Sequence, residues 1–154
     1  MNVGNILLVA DAIERGSVPG LGFNMANWKA AASLVNADLS GHSCGTVACI
    51  AGWTCEVLGR PMIANDGVRN YERRYEAGDL LGLTEEEQEE LFLPEHEEGA
   101  HFASGDILPE HAVRCLRNLA ITGKVDWEAA MKGDEPVLPP LPVSKSLTRI
   151  TNPA

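Results

Sequence analysis

The chain has 154 residues, 45% of them apolar and only 5% aromatic, a size and composition that call for one ordinary domain with an aliphatic and alanine-rich core. Its 22 acidic against 12 basic residues give a formal charge of -10, which repels phosphate backbones and anionic lipid and so argues against direct nucleic-acid or membrane-surface binding. No stretch approaches the roughly 20 apolar residues that span a bilayer, and "MNVGNILLVADAIERG" lacks the basic leader and cleavage signal of a secretory peptide; a soluble cytoplasmic protein with reduced thiols is expected.

In chain order, Ile6, Val9, Ala10 and Ile13 recur at helical spacing and Gly16 stands where a C-cap glycine would, which predicts a helix over 3–15. Asn24 reads as an N-cap, with Phe23 and Trp28 at the spacing of a hydrophobic staple, so a second helix is expected from 24 to about 37. Next, "TVACIAGWTCEVLG" carries the stripe Val47, Ile50, Ala51, Thr54, Val57 and Leu58 with Gly59 at its end. Only Glu56 is charged there, so a helix over 46–58 is expected at the centre of the fold, its small residues Ala48, Ala51 and Gly52 admitting close neighbours.

"RPMIANDG" reads as a loop and "VRNYERRYEAGDLLGL" as a helix that Gly78 interrupts. In "LTEEEQEELFLP", Thr84 and Glu87 form a capping box, the acidic first turn suits the helix dipole and Pro94 stops the helix, with Leu91 and Phe92 as anchors. After the polar loop "EHEEGAHFASGD", Pro109 opens a helix with the stripe Ala112, Val113, Leu116, Leu119 and Ala120, ending at Gly123, and "DWEAAMKG" gives a short last helix. Residues 134–154 hold five of the nine prolines and no helical period. The organisation expected is thus an all-α, single-domain bundle of six or seven helices over 1–133, followed by an extended proline-rich arm over 134–154.

Chemistry concentrates around "HSCGTVACIAGW" (42–53). His42, Cys44, Cys49 and Cys55 are soft ligands, but the spacing matches no zinc knuckle and Cys49 and Cys55 diverge by about 240° around a helix axis, so no metal or other cofactor is assigned. Cys44 just before a helix start would have its pKa lowered by free backbone N–H groups, and as a nucleophile it would need a base from His96, His101 or His111, with His101 the one named. Alternatively Ser43, Gly45 and Thr46 would offer hydroxyl and backbone donors to a small anionic ligand, supported by Arg60, Arg69, Arg73 and Arg74. Buried packing accounts equally for Cys49, Cys115 and the three tryptophans, and solvation for the eight glutamates between Glu85 and Glu98.

Taken together, "CGTVACIAGW" (44–53), "LLGLTEEEQEELFLP" (80–94) and "AVRCLRNLAITGKVDW" (112–127) resemble a set of small uncharacterised proteins of bacteriophages and bacteria. In these, Cys-Gly-Thr-x-x-Cys-Ile-Ala-Gly-Trp is similarly followed by a Leu-Gly-Leu helix and a Thr-Gly-x-Val-x-Trp ending. The resemblance covers about residues 20–130 and implies a phage or prophage setting. The function expected is therefore a non-enzymatic binding protein, an accessory factor acting on a host protein or host defence. Its rivals are a cysteine-dependent enzyme using Cys44 and a binder of a small anion or nucleotide signal.

Overall fold

The computed structural model describes residues 1–31, 46–96 and 102–133. Among them the chain forms six α-helices, two short 3-10 turns and one small sheet, so the all-α expectation holds with a sheet added. The arm over 134–154 lies outside the described residues.

Helix α1 (Val3–Arg15) has the bounds its apolar period sets. Asn2 caps it by accepting the Asn5 N–H at 3.0 Å, and Gly16 closes it in the left-handed region, φ 59°. The start of α1 is tied to the middle of the chain, because Asn2 N donates to the Leu81 carbonyl at 2.8 Å and Asn5 Nδ2 to the Leu80 carbonyl at 2.8 Å.

The predicted helix from Asn24 is absent over 24–31, and 32–37 lie outside the described residues. Leu21–Phe23 forms strand β1 and Ala30–Ala31 strand β2, which flank β3 (Thr46–Ala48) in the order β1-β3-β2. Pairing is parallel to β1, with Gly22 opposite Val47, and antiparallel to β2, with Ala30 opposite Val47. The cap signature of Asn24 was real but is used in a turn: its Oδ1 accepts the Ala26 N–H at 2.9 Å and Asn27 Nδ2 at 3.2 Å. Backbone bonds from Asn24 N to Ala48 O at 3.0 Å and from Cys49 N to Asn27 O at 2.7 Å then fasten this turn to β3.

Helix α2 (Ile50–Leu58) is central as expected, but it starts at Ile50, because 46–48 are taken up as the middle strand of the sheet. Ile50 through Cys55 are all buried, and Thr54 satisfies its hydroxyl on the Ile50 carbonyl at 2.8 Å. A Cβ at Gly52 would stand 2.1 Å from the Trp28 carbonyl oxygen, which explains the small residue at this crossing. Trp53 ties α2 back to the sheet by donating Nε1–H to the Gly22 carbonyl at 3.0 Å.

Helix α3 (Gly67–Leu81) runs through Gly78 without a break. The glycine is there for packing: a Cβ would meet Gln88 Cδ at 2.0 Å, so its absence lets α4 (Glu85–Phe92) lie close. The capping box of α4 is formed as predicted, with Glu87 N donating to Thr84 Oγ1 at 3.2 Å and Thr84 N to Glu87 Oε2 at 2.8 Å. The expected polar loop contains 3-10 turns at Pro94–His96 and Ser104–Asp106, with 97–101 outside the described residues.

Helix α5 (Pro109–Thr122) packs along α1, burying Ala112, Val113, Leu116 and Leu119, and α6 (Trp127–Lys132) closes onto it. Trp127 is buried and donates Nε1–H to the Glu90 carbonyl at 3.0 Å, so Trp53 and Trp127 both serve packing. No helix among the described residues is long and apolar enough to cross a membrane.

Candidate functional site

Of the residues singled out in the sequence, Ser43, Cys44, Gly45 and His101 lie outside the described residues. Thr46 belongs to β3, its N–H donating to the Gly20 carbonyl at 2.9 Å, and so is not in the first turn of a helix. The helix start that was to activate Cys44 belongs instead to Cys49, the N-cap of α2. The backbone N–H groups of Gly52 and Ala51 do pull the Cys49 thiol pKa down, yet burial outweighs them and pushes it from 9.0 up to about 11. Cys49 lines a cavity of about 100 Å³ with Trp28, Met25, Phe92, Ser104 and Glu95, room for a few waters. Burial thus opposes formation of the thiolate at Cys49.

The other two described cysteines behave alike. Burial, reinforced by the negative charge of Glu76, raises Cys55 to about 12, and burial raises Cys115 further. Of the three candidate bases, His111 is engaged locally, its Nδ1 accepting the Leu108 N–H at 3.0 Å. Among the described residues no group of three or more His, Cys, Asp or Glu side chains is arranged to hold a metal ion.

The arginines suggested as anion ligands are mostly occupied. Arg60 pairs with Glu76 at 3.2 Å, Arg69 with Asp66 at 3.5 Å, and Arg73 donates to the Pro61 carbonyl. Arg74 differs from them. It is 1% exposed, with Cζ 4.8 Å from the Tyr71 ring centroid and 4.7 Å from that of Tyr75. Its Nη2 donates to Tyr75 Oη at 2.8 Å, while Nε and Nη1 are buried without a hydrogen-bond partner among the described residues.

This guanidinium lies beneath the most apolar exposed patch of a helix whose sequence is otherwise polar. Val68, Tyr71 and Tyr75 recur at i, i+3 and i+7 on one side of α3 and are 79%, 46% and 42% exposed. The chain has two tyrosines, and both stand here. Ile63, also half exposed, is held at the start of the same helix by buried Asn70, whose Nδ2 donates to the Ile63 carbonyl at 2.6 Å and whose Oδ1 accepts the Ile63 N–H at 3.2 Å. Trp28 meets Tyr71 edge to face, centroids 6.0 Å apart.

Comparison with known protein families, with curated proteins and with solved structures found no match. The site therefore rests on its own geometry. Sequence reasoning missed this face because it weighed the 67–81 segment by its glycine and its charges. The available signal was the aromatic pair at i, i+4 with an arginine between, since Tyr and Arg together are the residue types that anchor protein contacts.

Proposed function

We propose that this protein is a non-enzymatic binding protein whose contact surface is the outer face of α3. The observation that carries the reading is the solvent exposure of Val68, Tyr71 and Tyr75 on one side of a well-anchored helix in an aromatic-poor chain. Exposed apolar and aromatic side chains gathered on one rigid element mark recognition sites, because burying them against a partner removes their area from water at little entropic cost.

The resemblance of the segments 44–53, 80–94 and 112–127 to proteins of phages and bacteria supports a bacterial host protein as the partner and an accessory role for the complex. The test is affinity capture from bacterial extract with the wild-type chain and with Val68→Glu, which adds a charge at the most exposed position of the face. A protein retained by the wild type and lost from the variant is the expected result. Equal retention by both would remove the α3 face from the reading.

A further inference from the structure

We propose that Arg74 is the anchor for a carboxylate carried by the partner protein, so that the α3 face recognises an acidic side chain set among apolar ones. The inference rests on the binding face described above and adds the chemistry of its occupant. Each of the other described arginines has a carboxylate or a carbonyl acceptor: Arg15 has Asp11, Arg117 has Glu14, Arg114 donates to the Ala130 carbonyl, and Arg60, Arg69 and Arg73 are engaged as above. Arg74 is the most buried of them and has only a tyrosine hydroxyl.

Two tyrosine faces offset part of the cost of burying a guanidinium, yet they leave two donor nitrogens, Nε and Nη1, with no acceptor among the described residues, in surroundings where an unpaired donor is expensive. The missing element is an oxyanion. The covering rings of Tyr71 and Tyr75 are both partly in solvent, so a side chain arriving on this face reaches the guanidinium by shifting rings that are not locked in the core. A carboxylate satisfies both the charge and the donors, and exposed Val68 on the same face calls for apolar neighbours around it.

The experiment selects displayed random peptides on the full chain, on Val68→Glu and on Arg74→Met, with melting temperatures measured for all three. Peptides recovered on the wild type are expected to carry Asp or Glu beside apolar residues, and changing that acid to its amide is expected to weaken binding about tenfold or more, as for loss of a charge-assisted hydrogen bond. Arg74→Met is expected to weaken the acidic peptides about 30-fold, to abolish the difference between acid and amide, and to melt at or above the wild-type temperature, since it removes an uncompensated buried charge.

Peptides that need an intact Val68 but bind equally as acid and amide would overturn the role of Arg74 and leave the face. Peptides indifferent to Val68→Glu, or none recovered, would overturn both. Inorganic phosphate that displaces the peptides at comparable concentration would replace the docking site by a free-anion site. A lower melting temperature for Arg74→Met with unchanged peptide binding would make the residue structural only. If Arg74→Met does not fold, the comparison of acid and amide peptides on the wild type decides.

Discussion

At Gly52 the α2 backbone passes so close to the Trp28 carbonyl that a single methyl group has no room, its Cβ falling 2.1 Å from that oxygen. Neither that carbonyl nor the Ala48 Cβ, 2.6 Å from the same point, is a flexible side-chain end, so the clash resolves only by moving α2 away from the turn that leads into β2. Gly52→Ala is expected to cost about 3 kcal/mol or more, read as a drop in urea midpoint with unchanged slope. The buried thiols set a second expectation at this scale. Cys49 and Cys55 keep their protons to about 11 and about 12 in the fold, against 9.0 when free. Their contribution is thus complete below pH 9 and declines above it, because the unfolded chain then releases protons that the folded chain retains. The slope is ~1.4 kcal/mol per pH unit for each such thiol. Urea unfolding at about pH 8 and about pH 10 should show the loss, and Cys49→Ala should make it shallower.

At the scale of elements, the parts legible in the sequence were those whose signals are local. Helix α1 has its predicted bounds because a polar cap, an apolar period and a left-handed glycine agree within fifteen residues or so. The capping box of α4 is equally local. Thr84→Ala is expected to cost about 1 kcal/mol, checked by chemical denaturation, with Glu87→Ala giving a similar loss and the double variant less than the sum. What escaped the sequence were features fixed by distant contacts. Thr46 and Val47 are β-branched and favour a strand while Ala48 favours a helix, and three residues are too few to show a period; pairing with Leu21–Phe23 on one side and Ala30–Ala31 on the other decides the matter. Gly78 was read as a break in α3, whereas contact with Gln88 makes it the place where two helices meet. The candidate site was legible only as an aromatic pair bracketing arginine, with its exposure hidden for the same reason. Tyr71 and Tyr75 look like ordinary helix residues until the packing of α3 shows which side is left in water.

Among the described residues, α2 forms the centre, with α1 and α3 packed on it, α5 joined through α1 and α6 through α5, and the small sheet closing the end at which α2 starts. This arrangement buries the described thiols and leaves Val68 and both tyrosines exposed on α3. Because Val68 is 79% exposed, Val68→Glu should change stability by no more than about 0.5 kcal/mol, which separates a loss of binding from a loss of fold. Binding through that face is most directly tested by modifying the protein with a tyrosine-selective reagent, free and after saturation with the captured host partner, and reading both sites by mass spectrometry. The expected result is reaction at Tyr71 and Tyr75 in the free protein and protection of both in the complex. Equal reactivity of the two tyrosines in the free and the bound protein would contradict it.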